Sequence, residues 1–168
     1  MKIAICDDEK IFLKKMNNLI VSNYANPDKL IICEFESGEQ FLSQFKANQF
    51  DVIILDIEMK ELTGLDVAEK IRETDKAVII AFLTSHQEFA PNGYEVNAFR
   101  YLLKGQPEQM YIKQLRSIFN EYHQTHMAFS VQMSNTVFNV AVSDILYFEI
   151  FKRTIVLHTK INNYQFNG

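Results

Sequence analysis

The chain has 168 residues, of which 48% are hydrophobic and 23% charged, and its formal net charge is −4 at pH 7. This length can hold one full domain and part of a second, and the apolar content is enough for a packed core. No apolar stretch is long enough to span a bilayer and the N-terminus does not resemble a secretory signal, so we expect a cytoplasmic protein without membrane attachment. The weak acidic balance also gives no electrostatic footprint for nucleic acid.

Apolar, strand-like runs alternate with helical patterns through residue 124, which is typical of stacked βαβ units and a parallel sheet. The predicted strands cover residues 2–6, 30–35, 51–57, 77–83 and 99–103. A helical pattern follows each strand, giving five helices. The fourth helix, across residues 87–96, is expected to be short or kinked because Pro91 and Gly93 interrupt it.

Four of the predicted strands are followed by polar side chains. These are Asp7 and Asp8 after the first strand, Asp56 at the third, Thr84 after the fourth and Lys104 after the fifth. Because the carboxyl ends of parallel strands meet at one edge of a sheet, we expect these groups to lie together. Carboxylate oxygens suit Mg²⁺, and a hydroxyl and an ammonium group suit phosphoryl oxygens. The sequence therefore predicts a magnesium-dependent, phosphoryl-handling site.

The pattern changes near residue 124. From Ala128 onward, apolar and polar residues alternate in short pieces such as 129–133 and 137–140, which indicates β-strands. We therefore divide the chain into residues 1–126 and an all-β segment, residues 127–168. A sheet this short leaves edges and apolar faces uncovered, so we expect the segment to form a homodimer.

The first 124 or so residues resemble the receiver domain of two-component response regulators. Five motifs carry the resemblance, in order: CDDE, DVIILDIEM, Gly64 eight residues after Asp56, LTS and FRYLLK. The resemblance implies a doubly wound α/β fold of the flavodoxin-like type, with a five-stranded parallel sheet of order 2-1-3-4-5. It also implies a signalling protein rather than an enzyme, with a sensor histidine kinase as its partner.

The resemblance assigns Asp56 as the phosphoacceptor. It implies that Asp7, Asp8, Asp56 and the backbone carbonyl of Glu58 hold Mg²⁺. Phosphorylation of the carboxylate would then control the output of the protein.

Further roles follow from the same resemblance. Thr84 and Lys104 would contact the phosphoryl oxygens, and Thr84 and Tyr101 would form the conformational switch. Glu58 and His86 would tune hydrolysis of the phosphoryl group. The residue after Lys104 is Gly105, where the family usually has a proline, and this departure predicts a less firmly fixed Lys104.

The sequence VSDILYFEIFKRTIVLHT in the tail resembles the opening strands of a LytTR-type DNA-binding domain. The resemblance covers residues 128–168, less than half of such a domain, so we expect a truncated domain that binds DNA only when complete. Lys152 and Arg153 would then be the candidate DNA contacts. From the residues alone, the pair is more typical of a solvated hairpin turn.

Two other functions stay open at this point. A pseudo-receiver would act as a protein-interaction module without phosphorylation, which Gly105 and the interrupted fourth helix favour. An aspartate-nucleophile phosphatase is suggested by Asp56-Ile57-Glu58, although the second aspartate of such a motif is missing.

Overall fold

The computed structural model describes residues 1–85, 95–133 and 136–167. The chain forms two compact units, Met1–Asn120 and Glu121–Gly168. None of the helices among the described residues has the length and apolar composition needed to cross a membrane.

The first unit is built on a five-stranded parallel sheet of order β2-β1-β3-β4-β5, which confirms the predicted fold class. The strands are β1 (Lys2–Cys6), β2 (Ile31–Phe35), β3 (Val52–Asp56), β4 (Ile79–Thr84) and β5 (Arg100–Leu103). Every residue of β3 and β4 is buried. Central strands covered on both faces read as continuous apolar runs, which is why the sequence predicts them well.

Helices cover both faces of this sheet. They are α1 (Lys10–Asn23), α2 (Gly38–Gln44), α3 (Gly64–Thr74) and α4 (Glu108–Thr125). Phe41 of α2 and Val67 of α3 belong to one buried cluster with alternate residues of β1, β3 and β4. On the opposite face α1 lies beside α4, where the rings of Tyr24 and Phe119 meet edge to face with their centroids 5.2 Å apart. Most of the helix predicted across 87–96 lies outside the described residues.

Two helices of the first unit begin with side-chain caps. At the start of α2, Ser37 Oγ accepts a hydrogen bond from Gln40 N at 3.1 Å, and the Gln40 side chain accepts from Glu36 N at 2.7 Å. At the start of α3, Thr63 and Asp66 form the complete reciprocal capping box. This cap fixes the N-terminus of α3 soon after β3.

The second unit is all-β beyond the end of α4, as predicted. An antiparallel hairpin consists of β6 (Ala128–Met133) and β7 (Thr136–Ala141). A separate antiparallel sheet of order β10-β9-β8 contains β8 (Ile145–Phe151), β9 (Thr154–Thr159) and β10 (Asn163–Asn167). Val131, Val140 and Leu157 form the small buried core of the second unit.

Candidate functional site

Three carboxylates meet at the carboxyl ends of β1 and β3. The two strands are adjacent with Cys6 opposite Leu55, so Asp7 and Asp56, which come next along the chain, lie side by side. One carboxylate oxygen from each of Asp7, Asp8 and Asp56 lies within 4.8 Å of the others. Asp7 is completely buried and Asp56 is 3% exposed. The structure therefore brings together the three acids that the sequence singles out.

The ammonium group of Lys104 lies against these acids. Its Nζ is 2.8 Å from Asp56 Oδ2, 2.9 Å from Asp7 Oδ2 and 3.0 Å from Glu9 Oε1, and the side chain is only 4% exposed. The ammonium also lies over the ring of Phe12, 4.3 Å from its centroid. The backbone N of Lys104 donates to the carbonyl of Thr84 at 2.7 Å, which ties the lysine to the end of β4.

The expectation that Gly105 leaves Lys104 loosely fixed does not agree with this geometry. Lys104 is held by three carboxylates and by the backbone of its neighbouring strand. Gly105 itself adopts φ +82°, a left-handed conformation that glycine accepts readily and that proline cannot adopt. The backbone conformation directly after Lys104 therefore favours glycine at position 105.

The cluster carries more negative than positive charge. Burial raises the pKa of Asp7 to about 6, although hydrogen bonds from Lys104 and from Glu9 N oppose that shift. Burial also raises the pKa of Asp56 against the lowering effect of Lys104. Burial lowers the pKa of Lys104, but its contacts with Asp56, Asp7 and Glu9 raise it more, so its pKa is raised on balance. The single ammonium group of Lys104 thus offsets only part of the carboxylate charge, and a divalent cation would neutralise more of it.

The residues present fit Mg²⁺. The donors are hard carboxylate oxygens, which Mg²⁺ prefers, and one or two carboxylates with several waters usually suffice for this ion. Asp7 Oδ2 is buried, and the contact that the described residues give it is the ion pair with Lys104 Nζ at 2.9 Å. This oxygen therefore has lone-pair capacity for a cation. The backbone of Glu58 is also close, because Glu58 N donates to Asp56 Oδ1 at 3.3 Å.

Thr84 and Tyr101 lie on the neighbouring strands. Asp56 of β3 pairs with Leu83 of β4, and Thr84 is the next residue of β4. Thr84 is completely buried. Tyr101 on β5 packs its ring against Phe82, with the centroids 5.1 Å apart. His86, predicted to tune hydrolysis, lies outside the described residues.

Gly64 allows the start of α3 to approach the acceptor strand closely. A Cβ atom at this position would lie 2.1 Å from the carbonyl oxygen of Asp56 and 3.1 Å from Ile57 Cα. The Gly64 N–H donates to the carbonyl of Ile57 at 2.9 Å, which fastens the loop after β3. The sequence identifies Gly64 by its spacing, and the close contact supplies the physical reason for a glycine.

Sequence reasoning missed two residues of the site, Glu9 and Phe12. Glu9 contacts Lys104 although 95 positions separate them, and Phe12 lies under the same ammonium. The signal for Glu9 was present in the CDDE motif, because Glu9 follows the two acids that end β1. No pattern in the sequence marks Phe12, whose apolar spacing is equally suited to core packing.

In the second unit, Lys152 and Arg153 form the exposed turn between β8 and β9. Lys152 has φ +56°, a left-handed conformation common in tight hairpins. Its Nζ lies 5.5 Å from the ring centroid of Phe151. The structure thus gives the hairpin turn that the residues alone favour.

Comparison with known proteins covers most of the chain. The sequence profile of the family described as "Response regulator receiver domain" matches residues 3–116. A sensory transduction protein LytR of Staphylococcus epidermidis is 36% identical over 104 residues, which are 62% of this chain and 40% of that protein. A sensory transduction protein LytT of Enterococcus faecalis aligns with 100% of this chain and 73% of its own length, at 23% identity. The match to this relative includes the second unit.

Solved structures show the same fold. The response regulatory domain of protein mrkE from Klebsiella pneumoniae covers 74% of this chain and 99% of its own, with a TM-score of 0.63 and 29% identity. The receiver domain of DrrB, activated with BeF₃, covers 71% of this chain and 97% of its own, with a TM-score of 0.59 and 26% identity. The matched part of this chain spans about 40% of the length of the first curated relatives, from 38% to 44%.

Proposed function

This chain belongs to the response regulator receiver family, and we propose that it is a phosphorylation-controlled switch in which Asp56 accepts the phosphoryl group. The observation that carries the proposal is the contact of 2.8 Å between Lys104 Nζ and Asp56 Oδ2, beside the carboxylates of Asp7 and Asp8. A buried nucleophilic carboxylate, a fixed ammonium and a set of metal-binding oxygens are the parts that phosphoryl transfer requires.

In the proposed step, an oxygen of the Asp56 carboxylate attacks the phosphorus atom of a phosphodonor. With a phosphohistidine of a sensor kinase as donor, the P–N bond breaks and its electron pair stays on the imidazole, which takes up a proton. The product is an acyl phosphate on Asp56. Lys104 offsets the charge on the phosphoryl oxygens from a position that it already occupies.

Mg²⁺ is part of this proposal. Asp7, Asp8 and Asp56, with the backbone carbonyl of Glu58, would hold the ion, which when bound neutralises charge on the transferred group. A solved relative supports this assignment: the response regulator TrrA from Thermotoga maritima, 25% identical with a TM-score of 0.59, was crystallised with Mg²⁺-BeF.

Phosphorylation would be transmitted through Thr84 and Tyr101. The acyl phosphate adds negative charge and acceptor oxygens, which would attract the hydroxyl group of Thr84 at the adjacent strand end. Movement of Thr84 would leave space toward which Tyr101 turns, remodelling the surface around β5. Glu58 and His86, two positions after Asp56 and Thr84, would set the hydrolysis rate.

The output that we propose is regulation of transcription. A transcriptional regulatory protein YpdB of Escherichia coli is 26% identical over 98% of this chain and 71% of its own length. DNA binding would require a complete C-terminal domain of the LytTR type, to which Lys152 and Arg153 would contribute from their exposed turn. We further propose a cytoplasmic location and a sensor histidine kinase as the phosphodonor.

The alternative functions have less support. A pseudo-receiver has no need of an ammonium group held against the acceptor carboxylate, and Lys104 is held there by three acids. An aspartate-nucleophile phosphatase of this motif would need a second aspartate two residues after Asp56, where the chain has the exposed Glu58.

The test is the intact mass of the protein after incubation with acetyl phosphate, with and without Mg²⁺. We expect one added phosphoryl group in the presence of Mg²⁺, none in Asp56→Asn, and full labelling in the control Asp28→Asn, which changes an exposed acid in another part of the chain. Absence of the adduct in the wild-type protein, or equal labelling of Asp56→Asn, would contradict the proposal.

A further inference from the structure

The ammonium group of Lys104 is surrounded by acceptors before any phosphoryl group arrives. An ammonium has three N–H bonds, and three carboxylate oxygens lie around Nζ: Asp56 Oδ2 at 2.8 Å, Asp7 Oδ2 at 2.9 Å and Glu9 Oε1 at 3.0 Å. The ring of Phe12 closes another side, with its centroid 4.3 Å from Nζ. A phosphoryl oxygen can therefore contact Lys104 only when one of these carboxylates moves away.

The three carboxylates differ in how firmly they are held. The Asp7 side chain is completely buried, and its Oδ1 accepts from Glu9 N at 2.8 Å. Asp56 is almost completely buried, and its Oδ1 accepts from Glu58 N at 3.3 Å. The Glu9 side chain is instead 55% exposed, and among the described residues its carboxylate contacts Lys104 alone.

Exposure decides which carboxylate leaves most easily. Water replaces a lost contact at an exposed carboxylate, whereas a buried carboxylate without a partner has a large desolvation cost. Of the three acids around Lys104, Glu9 therefore has the lowest cost of displacement.

The start of α1 does not explain the orientation of Glu9. The residue precedes α1 at the position where a polar side chain often caps a helix, but its side chain makes no such hydrogen bond. It points toward Lys104, 95 positions along the chain. Loss of the side chain should therefore leave the helix start intact.

We propose that Glu9 is a displaceable ligand of Lys104, which occupies one N–H of the ammonium in the unphosphorylated protein and is replaced there by a phosphoryl oxygen. The inference rests on the proposed function, in which Asp56 is the acceptor. Glu9 is a positioning residue, because it acts through Lys104 and does not touch the reacting atoms. It slows phosphorylation, since the Glu9–Lys104 contact has to be given up before Lys104 can stabilise the transferred group.

The first test is the rate of labelling by acetyl phosphate at saturating Mg²⁺, measured by intact mass. Glu9→Ala should label about fivefold faster than the wild type, the size of effect expected for a half-exposed ion pair. Glu9→Asp should also be faster, because it keeps the charge while its shorter side chain does not reach Lys104. Glu36→Gln is the matched control: Glu36 is a 55% exposed acid that pairs with Lys10 at 3.0 Å, so the rate should not change.

Two results of this test would overturn the inference. Labelling of Glu9→Ala at the wild-type rate would mean that Lys104 reaches the phosphoryl group without displacing Glu9, for example by leaving Asp56 instead. A wild-type rate in Glu9→Asp, with a faster Glu9→Ala, would assign the effect to charge and not to the contact.

A double-mutant cycle separates competition for Lys104 from a structural role. In a Lys104→Met background, Glu9→Ala should leave the labelling rate unchanged, because no ammonium is present to compete for. Acceleration of equal size in both backgrounds would show that Glu9 acts without Lys104 and would overturn the inference. Urea unfolding should give Glu9→Ala the stability of the wild type.

The displacement itself can be observed by NMR of protein labelled with ¹³C at the glutamate carboxyl groups. BeF₃, which activates the receiver domain of DrrB, would stand in for the phosphoryl group in the presence of Mg²⁺. The Glu9 signal, assigned by its absence in Glu9→Gln, should move toward that of a solvated carboxylate, and the Glu36 signal should stay in place. An unmoved Glu9 signal in protein that binds BeF₃ would overturn this inference alone, whereas absence of both BeF₃ binding and labelling would overturn the proposed function with it.

Discussion

Replacement of Gly64 with alanine should destabilise the first unit strongly. The new Cβ would lie 2.1 Å from the carbonyl oxygen of Asp56 and 2.9 Å from its carbonyl carbon, both of which are backbone atoms. Relief requires the start of α3 and the end of β3 to separate by about 1 Å, since contacts of this kind are ordinarily at least about 3 Å. Inserting a methyl group into a tightly packed site costs about 1–3 kcal/mol, and the upper end applies here because the backbone has to move.

The assay is urea unfolding, with the free energy of unfolding of Gly64→Ala compared with that of Gly105→Ala. The control alanine meets no atom within 4 Å but has to adopt φ +82°, so it should cost only about 1 kcal/mol. For Gly64→Ala we expect a loss of about 3 kcal/mol and a melting temperature lower by roughly 10 °C. A loss no larger than that of Gly105→Ala would refute the close-approach argument.

Three further variants test other parts of the account. Lys104→Met should slow labelling of Asp56 by about 100-fold, because the ammonium that offsets phosphoryl charge is lost, whereas Lys160→Met, at an exposed ion pair, should not change the rate measured by intact mass. Gly105→Pro should lower both the free energy of unfolding and the labelling rate, since proline cannot adopt φ +82° and has to displace Lys104; an unchanged rate would show that the turn is adaptable. Asp66→Ala should cost about 1 kcal/mol, because it removes the side chain that accepts from Thr63 N while Thr63 Oγ1 still caps α3. Hydrogen bonds from Thr63 hold the pKa of Asp66 below its usual range, so this contribution should be present at neutral pH and disappear in urea titrations as the pH falls below about 4.

The sheet of the first unit could be predicted closely because its central strands are buried on both faces. The run from Asp51 to Ile57 contains the observed strand Val52–Asp56, with one extra residue at each end. The convergence of Asp7, Asp8 and Asp56 follows from the rule that parallel strands end at one edge. Patterns of this kind fix which elements exist and which residues end them.

Other features depend on contacts that a linear pattern does not contain. The pairing of Glu9 with Lys104 joins positions 95 apart, and the firm placement of Lys104 despite Gly105 depends on three carboxylates acting together. The β8 strand carries exposed apolar residues on both faces, so its sequence resembles a buried strand, although among the described strands of its sheet it pairs with β9 alone. Burial of such a strand is decided by what packs on it.

The most direct test of the central claim is chemical mapping of the phosphoryl group. After incubation with Mg²⁺ and acetyl phosphate, borohydride reduces an acyl phosphate of aspartate to homoserine, which peptide mass spectrometry locates in the sequence. We predict homoserine at position 56 alone, and none when Mg²⁺ is chelated or in Asp56→Asn. Homoserine at Asp7 or Asp8, or no homoserine with Mg²⁺ present, would contradict the assignment of Asp56 as the phosphoacceptor.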